Sequence, residues 1–149
     1  MIFGKRYFHN VPTRLVAGAF ILNSGISKLK ADDAHLDQVF STAITAYPFL
    51  EPVGASKFGR LLGSYETTVG STLLMPFVSD RKAGMVLLPL TVALVGLYLK
   101  IPGMRQDASL RPSSQGIALA KDSWLLGIAL GLLLSTKKVK PHLLSQTEA

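Results

Sequence analysis

The sequence predicts an all-α integral membrane protein: a four-helix transmembrane bundle with an amphipathic helix between the first two spans. Three observations carry this reading. The 149 residues are 48% hydrophobic and only 17% charged, with a mean hydropathy of +0.35. The apolar residues come in four blocks, and the charges lie between the blocks. One carboxylate, Glu66, sits inside the second block, where it is costly unless protein surrounds it.

The chain divides into a cytoplasmic N-terminal segment, residues 1–12, a membrane domain, residues 13–136, and a basic cytoplasmic tail, residues 137–149. The first span runs from about Thr13 to Leu29, with Pro12 placed to open the helix because a first-turn proline loses no helical bond. It is short, so Arg14 and Lys28 are expected to extend their stems toward the two interfaces. Lys5 and Arg6 resemble the basic start of a secretory signal, but no small-residue cleavage site follows the apolar stretch, which favours a retained span.

From Ala31 to Leu50 the pattern changes. Leu36, Val39, Phe40, Ala43, Ile44 and Tyr47 recur at helical spacing, while His35, Asp37, Gln38, Ser41, Thr42 and Thr45 occupy the other face. Asp32 or Asp33 can cap this amphipathic helix and Pro48 stops it. Its polar face lacks lysines, so packing against protein is expected rather than lipid binding.

The second span runs from Phe58 to Val78 with Pro76 near its end, and the third from Ala83 to Leu99 with Pro89 inside it. Pro89 should kink its helix and requires neighbours to satisfy the freed carbonyl. Only Ser79 to Lys82 separates these spans, which predicts an antiparallel hairpin. A polar loop, Lys100 to Gln115, leads to the fourth span, Gly116 to Thr136.

Four spans put both termini on one side. Lys5, Arg6, Arg14, Arg81, Lys82, Lys137, Lys138 and Lys140 crowd short segments there, while basic residues of the opposite side spread through longer loops that also carry Asp32, Asp33, Asp37, Glu51 and Asp107. Density favours cytoplasmic termini. The net charge of +7 follows from these flanks and from no basic, aromatic-bearing helix face, so nucleic acid is not an expected partner.

On the second span Gly59, Gly63, Glu66, Thr67 and Gly70 share one stripe, since spacings of three, four and seven return to the same face. Small residues there admit a second helix, which turns Glu66 toward the bundle interior. Gly127 and Gly131 repeat the small-xxx-small spacing on the fourth span and predict another close neighbour. Glu66 lies roughly 12 Å below the outer end of its helix, and Lys28, Arg60, Lys121 and Asp122 lie within about two turns of that end. Ser24, Lys28, Arg60, Glu66, Lys121 and Asp122 are therefore expected to converge. Such a cluster is either an ion-paired knot holding the helices together or a ligand or proton site.

Other chemistry is poorly represented. With no cysteine there is no disulfide, thiolate metal site or iron–sulfur ligand. His9, His35 and His142 fall outside the spans, so no histidine is placed to bind haem, and no phosphate loop, zinc motif or hydrolase triad appears. Trp124, Tyr7, Phe8 and Tyr98 read as interface anchors.

The stretch from Arg14 to Leu29, with Gly18 four residues after the arginine and a Gly25-x-x-Lys28-Leu29 ending, resembles the first helix of the DoxX family. Gly63 to Gly70, with Glu66 between and Pro48 and Pro52 before, resembles that family's second helix, and the resemblance extends from Arg14 to Thr136. It implies a small four-helix protein of the bacterial inner membrane, in a family whose founding members are associated with thiosulfate:quinone oxidoreductase and a terminal quinol oxidase. The family pattern falls on Arg14, Gly18, Gly25, Lys28 and Glu66. Lacking an intrinsic redox centre, the chain is expected to be a non-catalytic accessory subunit of a respiratory quinone or cytochrome complex, surrounded by membrane lipids and other subunits. The alternatives are a subunit that binds a quinone or lipid between its helices, with Glu66 exchanging a proton, and a small transporter.

Overall fold

A computed structural model describes residues 10–135. The expectations placed on Lys5, Arg6, Tyr7, Phe8, His9, Thr136, Lys137, Lys138, Lys140 and His142 fall outside these residues. The described chain is all-helical: α1 (Val11–Leu29), α2 (Asp33–Ala46), a 3-10 helix (Pro48–Val53), α3 (Ala55–Leu74), α4 (Asp80–Lys100), α5 (Ile117–Lys121) and α6 (Ser123–Leu134). Two helical stretches, Asp80–Lys100 and Ile117–Leu134, are long and apolar enough to cross a membrane.

Element ends follow local chemistry. Pro12 sits in the first turn of α1, where its missing N–H costs nothing. Asp32 is the cap of α2, its carboxylate accepting the His35 N–H at 3.0 Å. The expected amphipathic stretch divides in two, because Pro48 ends α2 and opens the 3-10 helix. Helix α3 stops short of the expected Val78: Met75 adopts an extended conformation, which the following Pro76 enforces. The α3–α4 connection is therefore longer than Ser79 to Lys82, and α4 already begins at Asp80. The fourth apolar stretch is broken at Asp122 into α5 and α6.

Helix α4 continues through Pro89. The missing amide of Pro89 leaves the Met85 carbonyl without its helical donor. On the next carbonyl, Val86, the Tyr65 hydroxyl of α3 supplies a hydrogen bond at 2.8 Å, and Thr91 donates to Leu88 O at 2.8 Å. Neighbouring hydroxyls thus support the backbone around the proline. Tyr98, expected at an interface, is instead buried, and its hydroxyl donates to Leu110 O at 2.6 Å, tying down the loop before α5.

Packing is organised in pairs. Helix α1 makes its most extensive contacts with α3, and α4 with α6. Within the first pair Gly18 lies against Gly70 and Leu73, and Gly25 against Gly63 and Thr67, so the two helices run antiparallel. A Cβ on Gly25 would stand 2.5 Å from Thr67 N, and one on Gly70 2.5 Å from Leu22 N, distances no real side chain tolerates. In the second pair a Cβ on Gly84 would stand 2.9 Å from Ala129 O. Ala17, Ile21, Val69, Leu73, Ala83, Leu87, Leu90, Ala129 and Leu132 form the core between the pairs. Helix α2 lies mainly on α3, with Leu36 against Gly59 and the Phe40 and Phe58 rings 5.5 Å apart.

Gly127 and Gly131 depart from the expectation. A Cβ at either would meet nothing within 4 Å, so no helix of the described chain approaches them. This contrast is testable by unfolding purified protein in detergent. Gly70→Ala should forfeit about 1–3 kcal/mol because α1 must move away. Gly127→Ala should be neutral or gain up to about 1 kcal/mol from helix propensity alone.

Candidate functional site

Ser24 and Lys28 are four residues apart and share one face of α1, the face that carries Gly25 toward α3. Because Gly25 and Gly63 allow the backbones to close in, the Lys28 ammonium reaches Glu66 across the interface. Lys28 Nζ lies 2.8 Å from Glu66 Oε2 and donates to Ser24 Oγ at 2.7 Å. The Ser24 hydroxyl in turn donates to the same Glu66 Oε2 at 3.0 Å. Glu66 is only 5% exposed, so this is a buried, charge-assisted triad. Lys28 thus bends inward, contrary to the expectation that it extends toward an interface.

A cavity of about 220 Å³ opens beside the triad. Phe20, Ile21, Ser24, Lys28 and Glu66 of the first helix pair line one side, and Leu90, Leu94, Asp122 and Leu125 the other. Asp122, at the break between α5 and α6, is within electrostatic reach of Glu66. Of the residues expected to converge, Ser24, Lys28, Glu66 and Asp122 meet at this cavity. Arg60 and Lys121 do not: both are exposed and neither lines it. Gly59, Gly63 and Gly70 are buried on α3 as close-approach positions, whereas Gly127 and Gly131 are exposed.

A second ionic centre lies at the opposite end of α1. Arg14, expected to extend outward, is 6% exposed and directs its guanidinium into the end of α3. Nε donates to Leu73 O at 2.9 Å, Nη2 to Thr72 O and Met75 O at 3.2 and 2.8 Å, and Nη1 to Val78 O and Asp80 Oδ1 at 2.8 and 2.9 Å. These bonds match the five N–H donors of a guanidinium. Carbonyls at a helix C-terminus have no intrahelical partner, so Arg14 caps α3 as a side chain from another helix. Asp80, at the start of α4, also accepts from Asn10 Nδ2 at 2.8 Å, which adds the beginning of α1 to the knot.

The signal for this centre was present in the spacing. Arg14, Gly18, Ile21, Gly25 and Lys28 advance by four, three, four and three residues, so the arginine stands on the glycine face of α1. Among the described residues, no group of three or more His, Cys, Asp or Glu side chains gathers to hold a metal ion. Comparison with protein-family models, with curated proteins and with solved structures found no match for this chain.

Arg14→Lys tests the capping role. A lysine offers three donors and no planar fork, so carbonyls at the end of α3 lose partners. The substitution should lower the unfolding free energy in detergent by about 1–3 kcal/mol. Unchanged stability would show that the caps are not needed.

Proposed function

We propose that this protein is a DoxX-like, multi-pass protein of the bacterial inner membrane, with cytoplasmic termini, that serves as a non-catalytic accessory subunit of a larger quinone- or cytochrome-containing respiratory complex. The observation that carries the membrane reading is the direction in which its apolar residues face. Val16, Phe20, Phe77, Trp124 and Leu134 are 64–80% exposed. Only 11% of the apolar Ile117–Leu134 stretch is buried, whereas a helix of this composition in a water-soluble core would be largely covered. The charged groups Arg14 and Glu66 lie inside. Apolar outside and ionic inside is the arrangement that a hydrocarbon solvent favours.

In this reading α1, α3, α4 and the α5–α6 stretch are the four spans, and the charged groups of α1 and α3 turn toward the bundle interior while Val16, Phe20 and Leu61 face outward. The accessory role is supported by the way the ionic groups are used. Arg14 caps and joins α1, α3 and α4, and Lys28 and Ser24 bind the Glu66 carboxylate, so both centres hold helices together. The cavity bears on the quinone alternative. Pockets for drug-sized molecules typically occupy about 300–1,000 Å³, and 220 Å³ falls below that range. The ion-paired knot is therefore favoured over a quinone site.

Native purification tests the assignment. Membranes solubilised in gentle detergent should yield the protein only after an extraction that alkaline washing cannot replace, and with stoichiometric cytochrome-bearing partners. Recovery in the alkaline wash would contradict the membrane reading. Quinone-dependent turnover by the isolated chain would contradict the accessory role.

A further inference from the structure

Hydrogen bonding around the cavity is one-sided. Both donors that reach Glu66, the Lys28 ammonium and the Ser24 hydroxyl, converge on Oε2. Oε1 receives none, and it is not sealed in, because among the described residues every side-chain polar atom that is fully covered has a partner. A side chain more than nine-tenths buried therefore keeps one partly accessible oxygen with no donor among the described residues, and Glu66 lines the cavity. Asp122 faces the same space from the other helix pair, and its carboxylate accepts no hydrogen bond from the described residues. Lys28, the only cation in the lining among the described residues, already directs Nζ to Ser24 and Glu66. The remaining walls are Phe20, Ile21, Leu90, Leu94 and Leu125.

Two carboxylates and one ammonium leave a net negative site with acceptors to fill and few donors to offer. That excludes an anion, and it disfavours a quinone, whose carbonyls need donors. It calls for a cation that brings its own N–H groups. With each liquid water occupying about 30 Å³, a space of 220 Å³ holds several waters or a ligand of a handful of heavy atoms. We infer that the cavity between the α1–α3 and α4–α6 pairs binds a small primary alkylammonium, its N–H groups donating to Glu66 Oε1 and Asp122 and its hydrocarbon lying on Ile21, Leu90 and Leu94. Such a cation brings the site to neutrality and bridges the two pairs. The inference stands on the geometry of the cavity and does not require the partner complex proposed above.

Calorimetric titration of the full-length protein in detergent at pH 7 tests it, with n-butylammonium chloride as probe and n-butanol and sodium chloride as controls. The expected result is saturable butylammonium binding at least tenfold tighter than butanol, weakened at least tenfold by Asp122→Asn. Leu94→Trp fills the space without removing a charge and should abolish binding as well. It provides the readout should Asp122→Asn fail to fold. Equal binding of butanol and butylammonium, absence of binding, or wild-type affinity in the folded variants would overturn the assignment.

Discussion

The constraint on which the fold depends is that the Glu66 carboxylate is buried and must meet a cation. A buried charge without a partner costs several kcal/mol, so the interface that supplies Lys28 cannot be loosened freely. Supplying it requires α1 and α3 to approach within a distance that only glycine permits at Gly25, beside the triad, and at Gly70 further along, with Gly63 and Gly18 in tight contact opposite them. The glycines, the serine at the right register and the ion pair are thus one device. Placing a side chain at Gly25 would separate the backbones and draw the ammonium away from the carboxylate.

Helix α1 is fastened at both ends. Arg14 and Lys28 are 14 residues apart, which places the two ionic centres about 21 Å from one another along the helix. One clamps α1 to the end of α3 and the start of α4, and the other clamps it to the middle of α3. Between them runs the glycine contact. The α4–α6 pair joins this unit through an apolar core, and at the cavity that core gives way to Asp122 facing Glu66. The first pair is therefore fixed in register by directional bonds, while its seam with the second pair combines non-directional packing with the Arg14–Asp80 ion pair and the Tyr65 bond to Val86 O.

Much of this was legible in the residues. Periodicity located α2 and both of its faces, and the glycine spacing on α3 placed Glu66 on the covered side. The depth count correctly brought Ser24, Lys28 and Asp122 toward Glu66. It included Arg60 and Lys121 because depth along a helix does not specify which way a side chain points, and both point outward. Arg14 was misread for a related reason: a terminal arginine on an apolar helix resembles an outward-reaching one, although its position on the glycine face showed otherwise. Gly127 and Gly131 illustrate that small residues permit a close contact without creating one. The support of the Pro89 backbone by Tyr65 depends on a tertiary neighbour, which sequence pattern does not record.

The most direct test of this account is a double-mutant cycle on Lys28→Met and Glu66→Leu, followed by unfolding in detergent. If the pair is the tie that the structure depicts, each single substitution strands a buried charge or its partner and costs about 3–5 kcal/mol, while the double substitution recovers most of that loss. Additive losses, with the double variant as unstable as the sum of the singles, would contradict the claim that Lys28 and Glu66 are held there for one another.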